Sequence, residues 1–277
     1  MWSTLITIFL TRLVFVNGFS YDNQTAWKKE HTKCKGNYQS PIRLDRKTAI
    51  IIGKVPEIAF LNYNTVIGGD RVDVLNNGNT IRISFDQVDN SKKPMVKDGP
   101  LGRDQFVMED IHFHWGSFPT RGTEHKLDGV SYSLEAHLVH RNVKYESFED
   151  AKGKENGIVV LAVPFKEKSE GVSTLSGVVN LLEKVKFTGN ETTFHGNFVL
   201  DKMFYLKKEK LYFMYEGSLT TPVCDEKVLW IVYSKARCVL KSEMFKFRSL
   251  KRIDGEPLIN NFRKPQKPNG RKVILVV

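Results

Sequence analysis

Two almost unbroken apolar runs, 158–165 (Ile-Val-Val-Leu-Ala-Val-Pro-Phe) and 228–233 (Val-Leu-Trp-Ile-Val-Tyr), constrain this 277-residue chain most. Each is too short for a buried helix and rich in β-branched and aromatic side chains, as expected of strands covered on both faces. Other stretches alternate apolar and polar residues, the mark of half-buried strands: 80–85, 110–115 and 210–215. One segment follows a helical period instead: Leu175, Val178, Val179, Leu182 and Val185 predict a helix over 172–185. A shorter helix is predicted at 242–249. No internal repeat, long linker or break in composition appears. The expectation is therefore a single domain, mainly β (α+β), dominated by one sheet. With 41% hydrophobic and 26% charged residues, disorder and collagen-like repeats are excluded.

Lys and Arg number 42 against 31 Asp and Glu, a balance that suits acidic partners but carries no chemistry by itself. The basic stretches 207–210 and 263–272 hold few aromatics and no nucleic-acid motif. Solvated surface is expected of both, and no nucleic-acid partner. Residues 1–18 form a short apolar run with Val16 and Gly18 at the small-residue positions of a cleavage site, the pattern of a signal peptide cut before Phe19. Arg12 inside the run, with no basic residue ahead of it, departs from the ideal. No other stretch nears the roughly 20 apolar residues of a membrane span, so none is expected, and 273–277 is too short for a lipid-anchor tail. Two glycosylation acceptors, Asn23-Gln24-Thr25 and Asn190-Glu191-Thr192, fit export. A secreted protein with one domain over 19–277 is the expectation. The three cysteines, Cys34, Cys224 and Cys238, show no Cys-x-x-Cys spacing, which argues against a thiolate zinc site. In an oxidising compartment they imply one bridge and one leftover thiol, with three pairings open.

Chemistry concentrates in the histidines. In Asp110-Ile111-His112-Phe113-His114-Trp115, alternation sends Ile111, Phe113 and Trp115 to one face, and His112 and His114 to the other. Two imidazoles at i and i+2 on a strand face can reach one metal ion. The next dense stretch, Ser133-Leu134-Glu135-Ala136-His137-Leu138-Val139-His140, offers a third imidazole if it pairs antiparallel to the first. Three neutral histidines with an open fourth position make a catalytic zinc site. Periodicity does not choose between His137 and His140.

Seven ordered blocks carry a family resemblance: Gln39-Ser40-Pro41-Ile42, Leu75-Asn76-Asn77-Gly78, His112-Phe113-His114-Trp115-Gly116, Gly122-Thr123-Glu124-His125, Glu135-Ala136-His137-Leu138-Val139-His140, Gly217-Ser218-Leu219-Thr220-Thr221-Pro222 and Asn261-Phe262-Arg263. On these the chain resembles the α-class carbonic anhydrases over nearly all its length after the leader. The resemblance implies a large twisted sheet of about ten mixed, mostly antiparallel strands with short peripheral helices. It implies Zn2+ held by His112, His114 and His137, leaving His140 on the opposite face and His125 as a buried hydrogen-bonding residue. It also pairs Cys34 with Cys224, as in secreted relatives.

The activity so implied is reversible hydration of carbon dioxide to bicarbonate and a proton, with sulfonamides or anions as inhibitors at the metal; a monomer is expected. Thr220 and Glu124 match the pair that orients the attacking oxygen. Val139, Val160, Leu219, Thr221, Val228 and Trp230 match the substrate pocket. Glu135 is expected to accept the ring N–H of His137, and the carbonyl of Asn261 that of His114. Asp110 stands where the family has glutamine beside His112, so tighter zinc binding or a less acidic bound water is expected. Asn79 replaces the proton-shuttling histidine, which predicts an enzyme limited by proton transfer. Arg82 replaces a smaller pocket residue and is expected to narrow the cavity or draw anions. The rival reading is a carbonic-anhydrase-like binding or matrix protein with weak catalysis.

Overall fold

The computed structural model describes residues 18–65, 72–194 and 198–277. The expected strands fall into a single sheet whose main path has ten members: β1 (Ile50–Ile52), β2 (Val72–Asn76), β3 (Ile81–Ser84), β4 (Gln105–Trp115), β5 (Leu134–Asn142), β6 (Ile158–Lys168), β7 (Glu191–Phe194), β8 (Tyr212–Ser218), β9 (Glu226–Tyr233) and β10 (Ile274–Val276). Their spatial order is β7-β2-β3-β4-β5-β6-β9-β8-β10-β1. Three short strands branch from this path, Ala59–Leu61, Met95–Lys97 and Arg237–Leu240, making thirteen. Pairing is antiparallel except at β6–β9, β6 with Arg237–Leu240, and β10–β1. The expected sheet of about ten strands is present as this ten-membered path, and the three extra strands are too short to show a period.

The two apolar runs become β6 and β9, neighbours in the middle of the sheet, and residues 158–165 are all buried, as expected for strands with both faces covered. In β4, Ile111, Phe113 and Trp115 are fully buried and join the main core with Leu138, Leu161 and Phe247. The opposite face carries a second, smaller apolar cluster around Val160, Tyr215 and Trp230. The site lies between that cluster and β3.

The predicted helix over 172–185 is corrected. Only Ser176–Val179 is α-helical, and bonds such as Leu181 N–H to Val178 and Val185 N–H to Leu182 continue it as i to i+3 turns. Ser176, Gly177, Val178, Val179 and Asn180 are weak helix formers, so tertiary packing decides the backbone. Leu175, Val178, Val179, Leu182 and Val185 are still all buried, whereas Val172 is exposed. The second helix is observed at Lys241–Ser249, where Glu243 accepts the N–H of Leu240.

The disulfide Cys34–Cys224 is present, closing a separation of 190 residues beside Trp27, and Cys238 is free and half-buried. The basic stretch 263–272 is not simply solvated surface. Arg263 is buried and donates from Nη1 to the carbonyl of Ser40, while Arg271 donates to the carbonyls of Gln39, Glu216, Lys267 and Pro268. Guanidinium groups here satisfy carbonyls that no strand partner reaches. Among the described residues no helix is long and apolar enough to cross a membrane.

Candidate metal centre

Strand register builds the centre. Arg82 on β3 faces His112 on β4, which faces His137 on β5, which faces Ala162 on β6. One step along, His114 faces Glu135; in the other direction Asp110 faces Val139, Val139 faces Val160, and Val160 faces Trp230. Directly opposed residues share a face, so this face carries three imidazoles beside an apolar wall. Donor atoms of His112, His114 and His137 lie within 4.8 Å of one another.

Each imidazole is fixed by its other nitrogen. His114 Nδ1 donates to the carbonyl of Asn261 at 2.7 Å, His137 Nε2 to Glu135 Oε1 at 2.7 Å, and His112 Nδ1 to Asp110 Oδ1 at 2.8 Å. His114 Nε2 and His137 Nδ1 then face each other at 3.0 Å. Burial, helped by the neighbouring imidazoles, holds His114 well below the usual histidine range. Burial also pushes His137 down to about 4. Burial alone would raise the Glu135 carboxyl, but the N–H groups and charges of His125 and His137 hold it far below the carboxylate range. Burial likewise opposes Asp110, whose bond to His112 and proximity to Arg82 prevail and lower it.

Sequence reasoning missed part of the support. Glu135 Oε1 also accepts His125 Nδ1 at 2.7 Å, His125 Nε2 meets the Tyr215 hydroxyl at 2.8 Å, and Tyr215 donates to Ser40 Oγ at 2.9 Å. Partners up to 175 residues apart leave no local pattern that would announce them. Asn261 does more than lend its carbonyl: its side chain takes the N–H of Trp115 and donates to the carbonyls of Asn79 and Phe113. Gly116 and Gly122 allow the chain to fold back here; a Cβ would stand 1.2 Å from the Arg121 carbonyl oxygen or 1.9 Å from that of Ser133.

Glu124 is fully buried and accepts the backbone N–H of Arg263 at 2.7 Å through Oε1, which lies 3.6 Å from His114 Nδ1. Its Oε2 has no partner within hydrogen-bond geometry among the described residues. Burial pushes its carboxyl up, against the Arg263 N–H and the Thr220 hydroxyl, which both favour the charged form. Val139, Val160, Val228 and Trp230 belong to one buried cluster with Leu219 packed on it, while Thr221 is half-buried and its carbonyl closes a turn to Cys224 N–H. Asn79 borders a cavity of about 160 Å³ together with Tyr21, Arg252 and Asn261. Arg82 Nε lies 3.3 Å from Asp110 Oδ2.

His140 lies on the other face. Its ring is fully buried, with Nε2 2.6 Å from the Tyr63 hydroxyl and Nδ1 donating to the Leu138 carbonyl. Burial pushes it from 6.5 down to about 3. In the unfolded chain the same ring takes a proton near 6.5, so its favourable contribution is complete above that pH and is lost as pH falls toward 3. His140→Gln, which keeps an acceptor for Tyr63 but does not titrate, is expected to flatten this limb. Between pH 7 and 5 the parent should lose about 2 kcal/mol more than the variant, at about 1.4 kcal/mol per pH unit below 6.5. Urea midpoints at the two pH values measure the difference; parallel losses would refute the assignment.

A mixed sheet presenting three inward imidazoles beside a dry wall defines a class of metal-site scaffold. The family model of eukaryotic-type carbonic anhydrases matches residues 22–277, and the chain belongs to that family. It is 34% identical over 260 residues to carbonic anhydrase 3 of Homo sapiens, covering 92% of this chain and 95% of the relative. It is 31% identical to carbonic anhydrase 7 of Homo sapiens, covering 93% and 96%, and 33% identical to carbonic anhydrase 1 of Monodelphis domestica, covering 92% and 96%. The family supports carbon dioxide hydration as the general activity.

Secretion is corrected by this comparison: the matched relatives, carbonic anhydrases 3, 7 and 1, are cytosolic. The expected leader falls on residues 1–17, outside the described residues, with Gly18 alone described. Arg12 interrupts its apolar run and no basic residue precedes it, unlike the charge order of an export leader. Asn23 and Asn190, the two expected acceptors, are both exposed.

Proposed function

We propose that the chain is a zinc-dependent carbonic anhydrase converting carbon dioxide reversibly to bicarbonate and a proton, with His112, His114 and His137 as the metal ligands. One observation carries the reading. His114 and His137 each donate through one ring nitrogen, so the two nitrogens facing each other at 3.0 Å both present lone pairs. Lone pairs at that distance repel unless a cation lies between them, and both depressed rings are neutral at pH 7, the state a ligand needs. Three imidazoles suit zinc, and a site left open by three protein ligands is catalytic rather than structural. When bound, zinc supplies the Lewis acidity that lets water ionise near neutral pH.

The chain's own groups do the rest. Thr220 aligns the attacking oxygen and passes its own proton toward Glu124. Val139, Val160, Leu219, Val228 and Trp230, with Thr221 at the margin, keep the approach dry, which suits a small apolar substrate. Sulfonamides and small anions compete at the metal, and the protein acts as a monomer. Metal analysis joined to stopped-flow hydration tests the proposal: one zinc per chain and a sulfonamide-sensitive rate are expected. Zinc without hydration would leave the binding-protein reading; absence of zinc after refolding with excess metal would end the proposal.

Asparagine at 79 does not titrate near neutral pH, so proton release to buffer limits turnover. Asn79→His is expected to raise kcat about tenfold, at the low side of general acid–base effects. Imidazole buffer should raise the parent's kcat more than the variant's. Oxygen-18 exchange unchanged by both would remove the proton-transfer limit.

A further inference from the structure

Arg82 and Asp110 are 28 residues apart in sequence, and the sheet brings them together. Arg82 is the cross-strand partner of His112, and Asp110 lies two residues before His112 on the same strand face. The carboxylate bridges them: Oδ1 takes the His112 ring N–H at 2.8 Å and Oδ2 faces Arg82 Nε at 3.3 Å. With side-chain exposures of 38% for Arg82 and 15% for Asp110, the pair is screened less than one on open surface.

We propose that Arg82 is a positioning residue for the metal centre, holding Asp110 against His112 and cancelling the charge that an aspartate brings there. The inference rests on the zinc reading above. An unpaired aspartate behind a ligating imidazole makes that ligand more basic and strengthens its hold on a dication. An unpaired arginine at the same distance repels the dication. Together they leave a dipole, whose field at the metal falls off faster than that of either charge. The pair thus acts on the ion much as a neutral amide beside His112 does, and two departures from the family pattern offset each other.

The test uses the full chain, stripped of metal and titrated with zinc against a chromophoric chelator at one pH. Asp110→Gln leaves Arg82 facing the site alone and is expected to weaken zinc about 10–100-fold. Arg82→Gln is expected to tighten zinc several-fold. The double variant should return to within about threefold of the parent, because the loss from one change and the gain from the other offset each other. Inhibition by thiocyanate should follow the same logic, stronger in Asp110→Gln and weaker in Arg82→Gln. Opposite signs for the two single variants separate charge compensation from a merely structural role, which would weaken zinc in both. Arg82→Lys, which keeps the charge, should stay within about threefold of the parent and reports on the pair if the glutamine variant fails to fold. A parent that binds zinc while Arg82→Gln leaves its affinity and anion inhibition unchanged, or while both single variants weaken zinc, overturns this inference alone. A parent that binds no zinc overturns the zinc reading beneath it.

Discussion

Replacing His114 with alanine is expected to abolish stoichiometric zinc binding and, with it, measurable carbon dioxide hydration. The ring is 1% exposed and is one corner of a triangle of imidazoles, its centroid 5.2 Å from that of His112 and 4.4 Å from that of His137, with those two 5.2 Å apart. Without it only two nitrogens converge, one fewer than a catalytic zinc site requires of the protein. Affinity should fall by more than the 10–100-fold typical of losing an outer partner. The fold should suffer as well. Asn261 is fully buried and its carbonyl takes the ring N–H at 2.7 Å, so the variant strands an acceptor at a cost of about 1–3 kcal/mol. Glu135→Gln makes a useful contrast. It leaves all three nitrogens but substitutes an amide for the carboxylate that accepts both His125 and His137, so zinc should weaken without vanishing. Metal content by mass spectrometry, with thermal unfolding alongside, measures both effects; equimolar zinc in His114→Ala would contradict the ligand assignment.

These contrasts also show what local sequence encodes. Alternation in 110–115 was enough to put His112 and His114 on one face, because a strand's side chains obey a period of two. It was not enough to choose His137 over His140. Both lie in a strand that is buried throughout except at Arg141, so polarity marks neither face. The decision comes from register, His112 opposite His137, and from the shift between Met108 and Asp110 that re-aims β4. Such a shift has no signature in one strand read alone. Arg263 makes the same point about composition: in a basic stretch it resembles surface, yet its backbone N–H and guanidinium serve Glu124 and Ser40. The centre's first partners lie within two residues for His112 and His137 and were legible. The chain from Glu135 through His125 and Tyr215 to Ser40 needed the fold. The same holds for Arg82 and Asp110: each was visible as a departure from the family pattern, but their pairing depends on β3 lying beside β4.

Removing one hydroxyl should separate chemistry from metal binding. Thr220→Val is expected to lower kcat/KM about 100-fold, the scale of a small misplacement of reacting groups, while zinc stays at one per chain. Thr220 is 4% exposed and neighbours Glu124. Glu124 has one oxygen committed to the Arg263 N–H and the other, Oε2, without a partner among the described residues. A threonine hydroxyl has a single proton to give. Once that proton points at the carboxylate, only lone pairs remain toward the metal side, and the hydroxyl can then accept a hydrogen bond but not donate one. Under the proposed relay, an attacking oxygen would spend its proton on Thr220 and present a lone pair to carbon dioxide. Valine keeps the volume and destroys this polarity. Thr220→Ser restores it with a looser rotamer and should recover to within about tenfold of the parent. Glu124→Gln supplies an amide that can donate as well as accept, so the direction of the relay is no longer fixed and a loss of similar size is expected. Stopped-flow kcat/KM, zinc content and sulfonamide affinity measured on all three variants decide the matter. A Thr220→Val protein that keeps its metal and loses no activity would remove the relay from the mechanism, and one that loses its metal would make Thr220 a structural neighbour of the site.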